Sequence, residues 1–340
     1  MKKTFVRLLW VMAMAAVPAQ ARDWQYVRVP GAECGDGSEY GVYVSRKNPT
    51  KWTFAFQGGG ACWDYLSCFG PIPFTRLRLT DGPTEGNSGI LSDDAAASPV
   101  SEHSMVYVPY CTGDVFVGNH VARYGLFRKK TVRHVGRANV EKAVDHLIAR
   151  GTFEFSRMTD IVIYGGSAGA IGAASHALTL DTRIPAGARK GIVMDSPGLH
   201  WGRFFWRKFP IALLRDFRSS LSAFGMEFDL NNANLSREAD KACQAHQDWN
   251  IGILQASRDL VMSVAFGFMD PLTHERIVYG RDGVYERIRN STRNCSAWVP
   301  NGTDHVYLNA GSKASKRAGG ISAIDFARQV LSGDTGHVFR

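Results

Sequence analysis

The pattern most indicative of chemistry in this chain is a serine among glycines, GGSAG at residues 165–169. It follows the apolar run Ile161 to Tyr164, which predicts a buried strand. It precedes an alanine-rich segment that favours a helix. G-x-S-x-G on a strand-to-helix turn is typical of a nucleophile elbow, which holds the Ser167 hydroxyl clear of the sheet. The amide of Ala168, at the helix N-terminus, would then point towards a developing oxyanion.

A glycine-rich turn of this kind can also serve only for tight packing, or it can bind a phosphate. The chain contains neither G-x-G-x-x-G nor G-x-x-x-x-G-K-[ST], the two patterns typical of nucleotide phosphate sites. We therefore interpret Ser167 as a candidate nucleophile, with tight packing of the turn as the alternative.

A serine nucleophile needs a general base and an acid that orients the base. In α/β-hydrolases the chain order is serine, acid and histidine, each near the carboxyl end of a strand. Asp195 follows the predicted strand after the elbow, and Asp259 follows the next one. We favour Asp259 because it lies one strand–loop unit before the candidate histidine. Asp195 would instead shape the floor of the site or cap a turn.

Ten histidines are available as the base. His176 follows Ser167 by nine residues on the same predicted helix, which separates the two by roughly 13 Å along the axis. His305 follows a predicted strand, comes after the acid and lies in a glycine-containing loop. This position predicts that His305 accepts the proton of Ser167; the alternative is an ordinary loop histidine.

A second glycine-rich loop lies upstream of the elbow. The predicted strand Trp52 to Phe56 runs into QGGGACWD at residues 57–64. Successive glycines after a strand can direct several backbone N–H groups towards one point, and this is where esterases form the second half of an oxyanion hole. We expect Gly59 and Gly60 to be donors together with Ala168, unless the loop is only a flexible turn.

Local signals predict further elements. Residues 136–150 form an amphipathic pattern that predicts a helix ended by Gly151. Ser322 and Asp325 form a capping box that predicts a final helix through about Ser332. Residues 65–103 are rich in loop signals, and residues 115–135 are predicted to be a loop rich in glycine and arginine.

Strand-like runs alternate with helix-like segments, which predicts an α/β fold with a mainly parallel, doubly wound sheet. We expect one α/β-hydrolase domain, residues 22–340, with an insertion at about 199–249 that we interpret as a cap. Aromatic residues of the insertion either line a pocket for an acyl or sugar group or form the insertion's own core. They are Trp201, Phe204, Phe205, Trp206 and Phe209.

The chain resembles the pectin acetylesterase/Notum family, most closely its bacterial branch. Five segments carry the resemblance in the family's order: QGGGACWD (57–64), PYCTGD (109–114), GRAN (136–139), GGSAG (165–169) and GTDH (302–305). The resemblance implies an α/β-hydrolase fold, a triad of Ser167, Asp259 and His305, and hydrolysis of carboxylic esters. Around Asp259 the sequence SRDLVMS lacks the aromatic neighbours of the plant and animal motif. Family members remove acetyl groups from pectin or a fatty acyl group from a signalling protein, so the resemblance leaves the substrate open.

The first 21 residues predict a signal peptide. They combine the basic residues Lys2, Lys3 and Arg7, an apolar run from Leu8 to Val17, and an A-x-A cleavage site before Arg22. The apolar run is too short to span a bilayer, and no later segment is long and apolar enough to do so. We expect an exported bacterial protein, periplasmic or fully secreted.

Export would place the six cysteines in an oxidising compartment, where an even number of cysteines predicts up to three disulfides. The sequence alone does not choose among the pairings. We expect Cys243, at the end of the insertion, to pair with Cys295 beside the strand before His305. No Cys/His cluster has zinc spacing and no H-E-x-x-H occurs, so we expect no metal and no cofactor.

The chain is moderately basic, with 40 Lys and Arg against 31 Asp and Glu, a formal charge of +9. Loss of Lys2, Lys3 and Arg7 with the signal peptide leaves 37 against 31, or +6. Such a charge attracts acidic polymers or an anionic membrane surface, or serves only solubility. No Lys/Arg run is dense enough for a polyanion site, so we expect no nucleic-acid partner. The oligomeric state stays open.

Three functions compete. The first is an exported serine esterase that removes short, acetyl-type acyl groups, possibly from a polysaccharide. The second is a lipid or long-acyl esterase of the Notum type, which the aromatic insertion favours. The third is a non-catalytic binding protein on a hydrolase fold, which is disfavoured because every catalytic position is filled.

Overall fold

The computed structural model describes residues 22–80, 82–83, 89–127, 129–309 and 311–340. The predicted signal peptide lies outside these residues. In chain order the strands are β1 (Gln25–Glu33), β2 (Glu39–Ser45), β3 (Lys51–Phe56), β4 (Ser104–Val108), β5 (His120–Tyr124), β6 (Lys130–His134), β7 (Asp160–Gly166), β8 (Arg189–Asp195), β9 (Asn250–Leu254), β10 (Cys295–Trp298), β11 (Arg317–Ala318), β12 (Ile321–Ser322) and β13 (Val338–Phe339).

The α-helices connect these strands on both sides. They are α1 (Tyr65–Phe69), α2 (Gly136–Ala149), α3 (Ala168–Asp181), α4 (Ile211–Ala223), α5 (Ala239–Ala245), α6 (Pro271–Val278), α7 (Val284–Arg289), α8 (Gly311–Ala314) and α9 (Ala323–Ser332). The predicted ends of two helices are confirmed. Gly151 has a φ of 64° just after α2, and the Ser322 hydroxyl accepts the Asp325 amide at the start of α9.

Nine of the described strands form the central sheet, in the order β1-β2-β4-β3-β7-β8-β9-β10-β13. The pairs from β4 to β13 are parallel, and β1 and β2 add an antiparallel edge. The prediction of an α/β fold with a mainly parallel sheet is therefore confirmed. Carboxyl ends of the parallel strands meet at one edge of the sheet, and the loops that leave them hold the candidate site residues.

Both faces of the sheet are buried, which explains the nearly continuous apolar runs of the central strands. In β7, Ile161 and Ile163 pack into the larger core, which also contains side chains of α2 and α3. Val162 and Tyr164 point to the opposite face and pack into a second core with α9. The alternation of β7 side chains thus places helices on both faces, as in a doubly wound fold.

Two elements at the N-terminal side differ from the sequence expectation. Residues 115–135 were expected to be a loop, and that is wrong, because β5 and β6 pair there as an antiparallel hairpin. Arginine and lysine occupy several of its positions and hide the alternation typical of a strand. Strand β1 carries Pro30 and was not predicted at all; it lies at the edge of the sheet, where a proline is tolerated.

The long segment between β8 and β9 contains α4, α5 and two short 3₁₀ turns, Phe205–Lys208 and Leu235–Glu238. Helix α4 buries Leu213, Phe217 and Leu221 and contacts α3. The predicted insertion at 199–249 corresponds to this segment. This segment packs on the face of the sheet that α3 covers.

Three disulfides join the described segments: Cys34–Cys111, Cys62–Cys68 and Cys243–Cys295. They confirm the expected number and the pairing of Cys243 with Cys295. The last bond links the end of α5 to the start of β10 and therefore ties the insertion to the amino-end edge of the sheet, opposite the edge that holds the candidate site. The pairing was expected, but its expected link to the site edge is wrong, because Cys295 begins β10. None of the helices in the described ranges has the length and apolar character needed to span a bilayer.

Two buried histidines make stability depend on pH. Burial lowers the pKa of His134 and of His176 to about 4. His134 Nδ1 lies 2.9 Å from the Thr112 carbonyl oxygen, and His176 Nε2 lies 3.0 Å from that of Phe116. Each nitrogen donates, because a carbonyl only accepts. Both rings are therefore neutral in the folded protein at pH values where the unfolded chain is protonated.

We predict that the free energy of unfolding falls as pH decreases from about 6.5 to about 4, by about 2–3 kcal/mol for each histidine. The depressed pKa values mean that the unfolded chain binds more protons in this range, so acid favours unfolding. Urea unfolding at pH 7 and pH 4.5 measures the effect. His176→Gln retains a donor to the Phe116 carbonyl and should lose less stability on acidification than the wild-type protein. An equal loss in both would contradict this assignment.

Candidate active site

Ser167 lies at the junction of β7 and α3 in the left-handed region, with a φ of 56°. Its amide donates to the carbonyl oxygen of Asp195 at 2.8 Å, which holds the turn against the end of β8. The turn is too tight for side chains at two positions. A Cβ on Gly165 would lie 1.9 Å from the Gly169 carbonyl oxygen, and one on Gly169 would lie 2.1 Å from that of Phe56. This explains the glycines of the G-x-S-x-G pattern.

His305 follows β10 and contacts Asp259, which follows β9. The distance between His305 Nδ1 and Asp259 Oδ2 is 2.8 Å, and the Asp259 side chain is fully buried. Because a carboxylate only accepts hydrogen bonds, Nδ1 carries the hydrogen and Nε2 keeps its lone pair. Nε2 is buried and has no hydrogen-bond partner among the described residues. His305 and Ser167 line the same cavity.

The segment after β9 provides hydrogen bonds to both carboxylate oxygens of Asp259. The Met262 amide donates to Oδ1 at 3.0 Å, and the Gln255 side-chain amide donates to Oδ2 at 3.3 Å. A short π-helix, Val261–Phe266, follows at once. Its close contact with Asp259 orients the carboxylate towards His305.

Asp195, the alternative acid, has a different position. Its Oδ2 accepts the amides of Tyr307 and Leu308, each at 2.7 Å, whereas the hydrogen bond of His305 Nδ1 goes to Asp259. Burial raises the pKa of Asp195 to about 6, while the two amides oppose that shift. Next to it, the Ser196 hydroxyl accepts the Val306 amide at 3.0 Å. Asp195 and Ser196 thus anchor the chain directly after His305, a role that agrees with the expected part in shaping the site.

The glycine loop after β3 lies against the serine. A Cβ on Gly58 would be 3.4 Å from that of Ser167. Gly59 and Gly60 have φ values of 156° and 77°, and a Cβ on Gly60 would lie 1.9 Å from the Phe74 carbonyl oxygen. Among the described residues, none of the hydrogen bonds uses the amide of Gly59 or Gly60 as donor. Gly58 was not among the expected residues of the site, although it lies directly against Ser167.

Two neighbouring spaces share Ser167, Gly60 and Phe266 in their walls. The first, which we call the site cavity, has a volume of about 360 Å³ and is lined by the glycine loop, Ser167 and His305. The second, the apolar branch, has about 60 Å³ and is also lined by Ser167 and Ala168. The insertion supplies all the aromatic residues of its wall except Phe266, together with two leucines: Trp201, Phe205, Trp206, Phe209, Phe217, Leu221 and Leu235.

Aromatic residues of the insertion both line a pocket and pack on one another, and the group that the pocket binds stays a prediction. Trp201 and Phe205 stack with ring centres 4.1 Å apart and also line the apolar branch. Phe204 does neither, since its ring is 58% exposed; for Phe204 the expectation was wrong. Phe217 and Leu221, which sequence reasoning missed, have the spacing of one helix face in α4.

Lys208 joins three segments around the apolar branch. Its Nζ lies 4.1 Å from the ring centre of Phe205, and 4.6 Å from those of Trp63 and Phe268. It donates to the Phe266 carbonyl oxygen. Burial lowers the pKa of Lys208 to about 7, whereas the ring faces favour the ammonium form. The only sequence signal for this contact is a lysine within an aromatic run.

One group of side chains in the described residues has atoms close enough to bind a metal. The ligand atoms of Cys62, Cys68 and His134 lie within 4.8 Å of one another. The two sulfurs form a disulfide, so they are not thiolates, the form that binds metal. In this state the group has a structural role, because the disulfide closes the glycine loop onto α1.

Comparison with protein families gives a match to the model described as Pectinacetylesterase over residues 18–244. The matched range includes the glycine loop, Ser167 and Asp195, whereas Asp259 and His305 lie beyond it. The assignment of Asp259 and His305 to the candidate site therefore rests on their contact and on the order of the strands, not on the family match.

Curated relatives include carboxylesterases and a pectin acetylesterase. Palmitoleoyl-protein carboxylesterase NOTUM is 29% identical over 147 residues in Drosophila melanogaster, covering 41% of this chain and 21% of that protein. The Homo sapiens protein of that name is 28% identical, and the match covers 41% of this chain and 28% of that protein. Pectin acetylesterase 11 of Arabidopsis thaliana is 27% identical over 214 residues, and the match covers 57% of this chain and 51% of that protein. The chain thus spans from about a fifth to about half of the length of these relatives.

Substitution of the two aspartates distinguishes their roles. We predict that Asp259→Asn lowers kcat by roughly 10³–10⁴-fold, because an amide no longer holds the correct tautomer of His305. Asp195→Asn retains an acceptor for the Tyr307 and Leu308 amides and should lower kcat by about tenfold or less, with a loss of stability of about 1 kcal/mol. Steady-state ester hydrolysis and urea unfolding of both variants provide the measurement. The reverse order of kcat values would assign the acid to Asp195.

Proposed function

Because this chain belongs to the pectinacetylesterase family, we propose that it is a serine carboxylesterase that hydrolyses short-chain acyl esters. Ser167 is the nucleophile, His305 the general base, and Asp259 the residue that orients the base. The observation that carries the proposal is the 2.8 Å contact between His305 and Asp259, with Nε2 of His305 left for the Ser167 proton.

In the proposed reaction, His305 Nε2 accepts the Ser167 proton as the oxygen attacks the ester carbonyl. Asp259 stabilises the imidazolium that forms. The amides of Gly59, Gly60 and Ala168 stabilise the oxyanion, at roughly 2.7–4 kcal/mol for each donor. His305 then donates the proton to the leaving alcohol, and water attacks the acyl-enzyme in the same way. The positive φ values of Gly59 and Gly60 support their part in this step.

The size of the apolar branch supports a short acyl group. Its volume of about 60 Å³ is less than half of the roughly 150 Å³ of an engineered cavity that admits benzene. An acyl group of about two to four carbons suits such a space, whereas a fatty acyl chain would require the insertion to move. The larger and more polar site cavity would take the alcohol part, which we propose to be a sugar of a polysaccharide.

The insertion at 199–249 acts as a cap in this proposal, since it supplies most of the aromatic side chains in the wall of the apolar branch. We also propose export through the signal peptide, for which three disulfides give support. Arg22, the first residue after the proposed cleavage site, is 5% exposed, and its guanidinium donates to the carbonyl oxygens of Leu91, Val100 and His103. The mature chain would thus be held from its first residue.

Hydrolysis of nitrophenyl acetate, butyrate and octanoate by the mature protein and by Ser167→Ala tests this function. We expect the wild-type protein to prefer acetate or butyrate, and the variant to lose activity by roughly 10⁴-fold or more. A maximum at octanoate would replace the short-chain proposal with a long-acyl esterase. No activity and no labelling of Ser167 by a fluorophosphonate would favour a non-catalytic binding protein.

A second variant tests the acyl site itself. Leu235 lines the apolar branch but not the site cavity, so Leu235→Phe should fill the branch. We predict that the ratio of kcat/KM for butyrate to that for acetate falls about tenfold, because one or two methylenes in a pocket contribute roughly 1–3 kcal/mol. Acetate hydrolysis by the same variant is the internal control. An unchanged ratio would show that the acyl group binds elsewhere.

A further inference from the structure

Large apolar side chains are exposed beside the apolar branch. On the insertion, Phe204 is 58% exposed and Ile211 is 77% exposed; after the candidate acid, Phe268 is 67% exposed. We call these three residues the rim. Phe204 precedes Phe205, which lines the apolar branch, and Phe268 packs on Lys208, which also contacts Phe205. Phe204 and Phe268 thus adjoin residues around the apolar branch, and Ile211 begins α4 two residues after Phe209, which lines the branch.

Cations surround the rim without acidic partners. Residues 203–218 contain Arg203, Arg207, Lys208, Arg215 and Arg218 but only one acid, Asp216. The Asp216 carboxylate is already bound by the His120 ring at 2.6 Å and the Asn119 amide at 2.8 Å. In the part of the chain that the structure describes, none of these four arginines forms a salt bridge.

Cations lie beside apolar side chains both around Phe204 and on the exposed face of α4. The guanidinium of Arg207 lies 4.3 Å from the ring centre of Phe204, and that of Arg203 lies 5.7 Å from it. On α4, Ile211, Arg215 and Arg218 are exposed and have the spacing of one helix face. An exposed phenylalanine is costly in water, and a guanidinium over its ring offsets only part of that cost. Both features become favourable where an apolar layer lies under a layer of negative charge.

We propose that the rim and its arginines dock on an anionic lipid surface and hold the entrance of the acyl site against it. The phenylalanines and Ile211 enter the boundary between headgroups and acyl chains, while Arg203, Arg207, Arg215 and Arg218 bind the lipid phosphates. An acidic polysaccharide would satisfy the arginines but would leave the apolar rim in water, so the lipid surface fits the whole set better. Docking itself requires no turnover, and only its orientation towards the acyl site rests on the proposed function.

Sedimentation of the full mature protein with lipid vesicles tests the proposal. The vesicles contain phosphatidylcholine alone or an equal mixture with phosphatidylglycerol, at low and high salt. We expect at least about tenfold tighter binding to the mixed vesicles, with a decrease at high salt. Arg203→Glu with Arg207→Glu should remove the preference for anionic lipid. Phe204→Ser with Ile211→Ser should weaken binding about tenfold, while nitrophenyl acetate hydrolysis stays unchanged.

A second exposed apolar pair gives the matched control. Leu126 and Phe127 follow β5 and are 89% and 99% exposed. Leu126→Ser with Phe127→Ser should leave vesicle binding at the wild-type level. Equal binding to both vesicle types, or loss of binding only in this control, would overturn the proposal. Binding to soluble polygalacturonate is measured with the same variants. If Arg203→Glu with Arg207→Glu abolishes that binding and Phe204→Ser with Ile211→Ser does not change it, the surface binds a polysaccharide and the proposal is overturned.

Discussion

Asp195 connects the two parts of the site that must face each other. Its carbonyl oxygen accepts the Ser167 amide, and its carboxylate accepts the amides of Tyr307 and Leu308. One residue at the end of β8 therefore fixes both the turn that carries the candidate nucleophile and the chain after the candidate base. The carboxylate is fully buried, where backbone amides are its main compensation for lost hydration. The distance between serine and histidine thus depends on a residue that contacts neither of their reactive atoms.

The sequence predicts the parts of this molecule that depend on local chemistry. The strand and helix around Ser167, the ends of α2 and α9, and the pairing of Cys243 with Cys295 are confirmed. These features are encoded by apolar runs, caps and a small number of cysteines. The places of Asp259 and His305 were inferred from strand order, and the structure brings the two side chains together. Their catalytic roles stay predictions.

Other features depend on contacts between distant segments and have little local signal. The hairpin of β5 and β6 was missed because its strands carry arginine and lysine rather than alternating apolar residues. Lys208 contacts Trp63, Phe205 and Phe268, which come from three separate parts of the chain. The carboxylate bonds of Asp195 span more than 110 residues. No pattern within a short window can encode such contacts.

The position of Lys208 has a consequence for how the apolar branch can open. Its ammonium binds the glycine loop, the insertion and the segment after Asp259 at one point. Outward movement of any one segment breaks contacts that also restrain the other two. Widening of this space would therefore be cooperative, with a closed and an open population rather than a continuous range of widths. The acyl groups accepted would then fall into two size classes, separated by the free energy of releasing a single side chain.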